Sequence, residues 1–231
     1  MAIQQQTAKL QPDQHRQAGE MLARAFYDDP LSVYLVPNDA KRARVLPWMY
    51  ERVVRYGSMY DGELLTNSSA APLAPGASIP SSPLPLAGEG PGVREVNAVA
   101  VWLPPGLAHT PITRLVRAGL ALAPFKFGLG AMGRFMAANH VERLRAKLAP
   151  EPHWYLWLIG VAPERQGHGL GSSLIEPMIA RADADAIPCY LETHKERNVT
   201  FYERHGYNVV HTGNVAKDGP PYWCLKREPR R

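Results

Sequence analysis

Residues 154–174 constrain this chain more than any other stretch. Trp-Tyr-Leu-Trp-Leu-Ile-Gly-Val at 154–161 is an apolar run of strand length, and Leu174, Ile175 and Met178 continue with helical spacing. Between them lies a turn carrying Gly167, Gly169 and Gly171. A buried strand, a glycine-rich turn and a helix in that order form a site for phosphate. The glycines remove side chains where a ligand's oxygens approach the backbone, and the free N–H groups and dipole of the helix's first turn point at the same spot.

Spacing narrows the ligand. A Walker loop ends in Gly-Lys-Ser/Thr, whereas Gly171 is followed by Ser172 and Ser173, so the phosphate-binding lysine is missing. A dinucleotide fingerprint needs Gly-x-Gly-x-x-Gly, which the Gly167, Gly169, Gly171 series does not match, although Glu192 on the next strand imitates its ribose-binding acid. Gln166-x-x-Gly169-x-Gly171 after a strand ending Gly160-Val161 does fit a pattern. It resembles the acetyl-CoA signature of the GNAT superfamily of acyl-CoA-dependent N-acyltransferases. A ligand-free strand-to-helix turn would also account for two of the glycines, so a second match carries weight. Residues 188–210 contain Asn198-Val-Thr-Phe-Tyr202 on a short helix, followed by Gly206-Tyr207, which is similar to the superfamily's Asn-x-x-x-Tyr helix and Gly-aromatic step.

The resemblance implies a fold and a set of roles. The fold is α/β, a mixed, twisted, six- to seven-stranded sheet flanked by helices on both faces. The donor is acetyl-CoA, a cosubstrate, with no metal. Ile159, Gly160 and Val161 on the strand and Gln166, Gly167, His168, Gly169, Leu170, Gly171 and Ser172 in the loop would hold it. Asn198 would bond the pantetheine arm, and Tyr202 would sit at the thioester sulfur as proton donor to the departing thiolate. Coenzyme A would occupy a V-shaped gap where the strand at 154–161 splays from the strand at 189–193.

The remaining chain is consistent with such an enzyme. At 231 residues it can bury one core, and we expect a single domain over 1–231. The apolar set Ala18, Met21, Leu22, Ala25 and Phe26 predicts a helix over 13–28 with Asp13 as its cap, ended by Pro30. A second helix is expected over 40–56, with Pro47 at a start or kink, and strands over 58–65 and 97–103. In the superfamily this helical pair walls the acceptor side, which makes Phe26, Tyr27, Asp28, Asp29 and Tyr34 candidates to meet the amine. Residues 66–95 hold six prolines, four glycines, five serines and five alanines without an aromatic residue, so we expect a disordered insertion at a hairpin tip. Helices at about 112–120, broken by Pro124, and 130–148 are expected to cover the sheet. Their methionines and phenylalanines are core, or line a substrate tunnel or dimer face. Pro177 should bend the helix that follows the glycine loop.

Charge and cysteine usage exclude other classes. Arg114, Arg117, Lys126, Arg134, Arg143, Arg145 and Lys147 face one acid, Glu142, between 107 and 148. Few aromatics interleave them and no nucleic-acid motif accompanies them, so no nucleic-acid partner is expected. The two cysteines, Cys189 and Cys224, make neither a disulfide framework nor a metal set. No apolar run is long enough to span a bilayer, so no membrane partner is expected, and the protein is placed in the cytoplasm. Monomer and homodimer both remain open.

A thioester is already activated, so no side-chain nucleophile is needed. The enzyme must align a neutral amine, stabilise an oxyanion, take a proton from nitrogen and give one to sulfur. Glu192 beside the splay is the first choice of base and His194 the second; a salt bridge to Lys195 or Arg197 is the structural alternative for Glu192. For Tyr202 the alternative is a core tyrosine, and for His168 a solvated one. The expected activity is transfer of an acetyl group from acetyl-CoA to a primary amine of a small molecule or peptide. A transferase for longer acyl groups and a non-catalytic CoA sensor are the alternatives.

Overall fold

The computed structural model describes residues 7–69 and 95–230. Seven strands form one sheet: β1 (Thr7–Lys9), β2 (Glu63–Ser69), β3 (Glu95–Leu103), β4 (Trp154–Val161), β5 (Cys189–Thr193), β6 (Asn208–Asn214) and β7 (Pro221–Arg227). Their order across the sheet is β1-β2-β3-β4-β5-β7-β6. Every pairing is antiparallel except β4 with β5. That parallel pair is joined by α8 (Leu170–Ala184), as a parallel connection requires a crossover.

Both faces of the central strands are covered, which is why β3 reads as a continuous apolar run. On one face Leu174, Ile175 and Met178 of α8 pack on Ala98, Ala100 and Trp102. On the other, Met21 and Leu22 of α1 (His15–Ala25) and Leu46, Tyr50 and Val54 of α3 (Asp39–Met59) pack on Val99 and Val101. Leu22, Leu174 and Ile175 are wholly buried; each such side chain contributes about 1.5–3 kcal/mol. Gly19 allows α1 to close on α3, because a Cβ there would stand 2.7 Å from the Glu51 nitrogen and 2.8 Å from the Pro47 oxygen.

Several expected boundaries move. A 3-10 turn at Pro12–Gln14 precedes α1, so Asp13 is not its cap. Pro30 does not merely stop a helix. It opens α2 (Pro30–Leu35), with Asp29 as N-cap accepting from the Leu31 N–H at 3.0 Å. Proline is tolerated there because the N–H it lacks would be unpaired anyway. Pro47 lies inside continuous α3 rather than at its start, while Pro177 lies inside α8 as expected. The α3 helix runs to Met59, so β2 starts later than 58 and takes in 66–69, which pair with β3. Of the proposed insertion, 70–94 lie outside the described residues.

The expected helical pair between β3 and β4 is four short helices: α4 (Ile112–Arg117), α5 (Ala123–Phe127), α6 (Leu129–Ala138) and α7 (His140–Leu148). Pro124 sits in the first turn of α5 instead of breaking a helix, and Gly128 at φ +78° separates α5 from α6. The last helix, α9 (Glu196–Arg204), follows β5.

Candidate active site

The site begins with a defect in the sheet. β4 pairs with β5 only at Trp154, Tyr155 and Leu156, while its remaining residues run on to Val161 with no partner in β5. Against β3 the register shifts there: Val101 faces Leu158 and Trp102 faces Leu156, leaving Trp157 as the extra residue of a β-bulge. A bulge bends its strand and increases its twist, so β4 leaves β5 where the pairing stops. The gap that opens between the two strands is the V that the resemblance implies.

A cavity of about 460 Å³ fills the outer part of this gap. Its walls include Ile159, Gly160 and Val161 of β4, the loop residues Gln166, Gly167 and Gly169, the first residues of α8 (Leu170, Gly171 and Ser172), and Asn198 and Tyr202 of α9. Local sequence builds each wall. Gly167 and Gly169 take φ of +79° and +80°, and nothing lies within 4 Å of a Cβ placed on either. Both therefore turn the chain in a conformation that favours glycine and leave open space in front of the helix. Gln166 ties the loop to β4 by donating from Nε2 to the Val161 carbonyl at 3.2 Å. Gly160 lets α1 approach, since a Cβ there would stand 2.6 Å from Leu22 Cδ2.

The electrostatics of this cavity suit a polyanion. Arg165, Lys195, Arg197 and Arg204 line it beside the N-terminus of α8, whose first backbone N–H groups have no acceptor within the helix. His168 is the exception among the loop residues. It is exposed, its Nδ1 lies 2.9 Å from the Gln166 carbonyl, and it is not part of the wall.

A second cavity of about 280 Å³ continues inward, and Phe26, Asp29, Ile159, Asn198 and Tyr202 line both. Glu192, Thr193 and His194 line the inner one. Asn198 and Tyr202 lie one turn apart on α9, so they share a face. Asn198 donates from Nδ2 to Thr193 Oγ1 at 3.1 Å, which fixes its amide and leaves its oxygen for a ligand. The Tyr202 side chain is buried, and its hydroxyl has no hydrogen-bond partner among the described residues. Burial and the nearby Asp29 raise its pKa, so it stays protonated.

Glu192 pairs neither with Lys195 nor with Arg197. Arg145 of α7 lies 3.4 Å away, and both side chains are less than a tenth exposed. Arg145 also stacks over Tyr155 at 4.0 Å and donates to the Ala108 carbonyl at 2.8 Å. Burial raises the Glu192 pKa, against the pull of the Arg145 charge. Lys195 instead reaches Asp29, at 3.7 Å. Burial lowers the His194 pKa, which keeps that ring neutral.

Of the five acceptor-side candidates, Phe26 and Asp29 reach these cavities, while Tyr27 and Asp28 border a separate surface depression. Tyr34 packs among the α2 and α3 side chains instead. Sequence reasoning gave Arg145 no part in the site, and no signal local to α7 could have paired it with a residue 47 positions later. Burial pushes the Cys189 thiol up to about 11 and the Cys224 thiol up to about 12, so neither supplies a thiolate nucleophile. Among the described residues no cluster of histidine, cysteine and carboxylate side chains is arranged to hold a metal, and no helix is long and apolar enough to cross a membrane.

Comparison with known proteins bears on the same segment. The model of the acetyltransferase (GNAT) family matches residues 130–207. An uncharacterized N-acetyltransferase of Schizosaccharomyces pombe is 24% identical over 230 residues, covering 96% of this chain and 82% of that protein. A crystal structure from Corynebacterium glutamicum, described as histone acetyltransferase HPA2 and related acetyltransferase, superposes with a TM-score of 0.62 at 20% identity. The match covers 98% of this chain and 97% of that one. The PaiA N-acetyltransferase of Thermoplasma acidophilum, solved in complex with coenzyme A, gives a TM-score of 0.50 at 11% identity, covering 96% and 98%. The family match spans the splayed strand, the glycine loop and the Asn198–Tyr202 helix, and the sheet around them has the same fold as these acetyltransferases. Residues 130–207 are thus similar to the acetyltransferase (GNAT) family, and the whole chain has the fold of these acetyltransferases.

Proposed function

We propose that this protein is an N-acetyltransferase that moves the acetyl group of acetyl-CoA to a primary amine of a small molecule or peptide, by direct attack in a ternary complex. The observation that carries the reading is the pair of adjoining cavities, one with a cationic, glycine-lined mouth at the α8 N-terminus and the other lined by Glu192, which share Asn198 and Tyr202 in their walls. The pyrophosphate of the donor lies against the N–H groups of residues 167–172, with Arg165 and Arg204 nearby. The pantetheine arm runs between β4 and α9, where the free oxygen of Asn198 accepts a hydrogen bond.

The acyl carbonyl lies against a backbone N–H of the Ile159–Val161 stretch, which the splay frees from pairing with β5. Such a donor stabilises charge that develops on oxygen during attack. The amine nitrogen attacks the carbonyl carbon, the new C–N bond forms and the C–S bond breaks. Glu192 takes the proton from nitrogen, directly or through a water, and Tyr202 gives one to sulfur. A raised Glu192 pKa makes it a stronger base, and a raised Tyr202 pKa keeps its proton available. Acyl-CoA is made in the cytoplasm, and the protein acts there.

Thermal unfolding with acetyl-CoA, coenzyme A, ATP or NAD tests the reading. A ligand that binds only the native state at a hundred times its Kd adds about 2.7 kcal/mol of stability. The midpoint should rise with the two CoA compounds alone, and thiol should be released when amines are added. A folded protein whose midpoint moves with neither CoA compound would overturn the proposal.

A further inference from the structure

A third cavity, of about 710 Å³, lies between α3 and the α4–α7 helices. Leu115, Leu120, Phe127, Met132 and Phe135 make up much of its wall. Its polar groups are grouped with Glu142, whose carboxylate already accepts from the Thr110 N–H at 2.8 Å and pairs with His109. Ile112, Val116 and Met136 stand at its rim with 71%, 48% and 74% of their surface exposed. Apolar groups left bare beside a cleft of this size mark a binding surface, and ~300–1,000 Å³ is the usual volume for burying a small organic ligand.

The position of this chamber suggests its occupant. Met49, Val53, Phe135 and Trp157 line both the chamber and the inner cavity that holds Glu192 and Tyr202. The chamber shares no wall residue with the cationic donor cavity. The three spaces thus lie in series along β4, with the donor mouth near Val161, the junction around Ile159 and the chamber beside Trp157. Direct attack requires the acceptor to reach the junction while the donor fills its own mouth. The chamber adjoins the junction from the other end, across Met49, Val53, Phe135 and Trp157.

We infer that the acceptor is an amine carried on an apolar body, alkyl or aryl, and that this body lies in the α4–α7 chamber while its nitrogen reaches the junction beside Glu192. The inference rests on the acetyltransferase reading. Apolar walls hold the body by its surface, and removing the amine from water lowers its pKa toward the neutral form that attacks. Small polar amines gain nothing from such walls.

The test is thiol release at saturating acetyl-CoA with ethylamine, butylamine, hexylamine and 2-phenylethylamine, and with putrescine as the polar comparison. kcat/KM should rise roughly threefold to fourfold per added methylene until the chamber is full, the equivalent of ~0.8 kcal/mol each. Ala121 is an exposed wall residue. Ala121→Trp should cut kcat/KM for hexylamine and 2-phenylethylamine at least tenfold, while leaving ethylamine and the thermal shift with acetyl-CoA unchanged. Val116→Asp, on the exposed rim, should act in the same direction. A flat alkyl series, or a preference for putrescine over hexylamine, with the acetyl-CoA shift intact, would overturn this inference alone. So would a loss confined to octanoyl-CoA as donor, which would assign the chamber to the acyl chain. Absence of any shift with acetyl-CoA would remove the underlying reading and this inference with it.

Discussion

Replacing Tyr202 with phenylalanine separates chemistry from packing more cleanly than any other change here. The ring is buried against Phe201 and Tyr207, with centroids at 5.2 and 5.9 Å, and phenylalanine preserves those contacts. The hydroxyl has no protein partner among the described residues, so its loss orphans no buried group. Stability should change by less than about 0.5 kcal/mol, which moves the melting midpoint by no more than about 2 °C for a chain of this size. The affinity for coenzyme A should also hold, because the loop and α8 N-terminus proposed to bind its phosphates are untouched. Turnover should not hold. A positioned proton donor contributes about 10²- to 10⁴-fold, and the lower figure corresponds to ~2.7 kcal/mol of barrier. The assay is steady-state thiol release from acetyl-CoA with a saturating amine, beside a melting curve and a coenzyme A titration on the same preparation. Because burial raises the hydroxyl pKa, the wild-type rate should show no alkaline limb from Tyr202 below about pH 10. A Tyr202→Phe protein that keeps kcat within about fivefold would refute the role and leave Tyr202 as a core residue.

Glu192 yields a pH prediction. A base works only above its pKa, and burial raises this one, so wild-type kcat/KM should fall on the acid side through a value above the ordinary carboxylate range. Glu192→Gln should abolish that limb and lower kcat about 10²-fold; survival of both would restrict Glu192 to its pairing with Arg145. Gly169→Ala forces a methyl into a φ of +80°, at a cost of about 1–2 kcal/mol, and should weaken coenzyme A binding in a calorimetric titration; unchanged affinity would take the loop out of the donor site. Asp183 holds the buried Arg227 through two contacts of 2.7 Å, which keep its folded pKa below the unfolded value. That contribution is complete above about pH 4 and is lost as pH falls through the folded pKa. Asp183→Asn should therefore cost about 2–3 kcal/mol at pH 7 and about 1 kcal/mol less at pH 3, as read by denaturant melts; an equal cost at both would deny the linkage.

What could be read from the chain alone was local in cause. The strand, glycine turn and helix of 154–184 depend on apolar periodicity and on glycines that accept positive φ, and both are properties of neighbouring residues. Asn198 and Tyr202 share a face because a helix returns every three to four residues, while their approach to one cavity was implied by the resemblance. The sheet with helices on both faces followed from the same periodicities together with the resemblance to GNAT acyltransferases. Boundaries were less legible. Pro30 and Pro124 read as breaks and Pro47 as a start or kink, yet Pro30 and Pro124 lie in first turns and Pro47 lies inside α3, because first-turn positions need no N–H and tertiary packing outweighs one lost bond.

The sequence by itself determined that a glycine-rich turn would follow a buried strand, and that Asn198 and Tyr202 would share one side of a helix. Only the tertiary structure decided how that turn came to border a cavity. The bulge at Trp157 exists because β3 and β4 pair out of step, a relation between segments more than fifty residues apart. Arg145 reaches Glu192, Asp29 reaches Lys195, and the α4–α7 helices close an apolar room behind the junction. Each of these contacts depends on how whole elements dock, and docking is set by the fit of buried surfaces summed over the molecule rather than by any short pattern of residues.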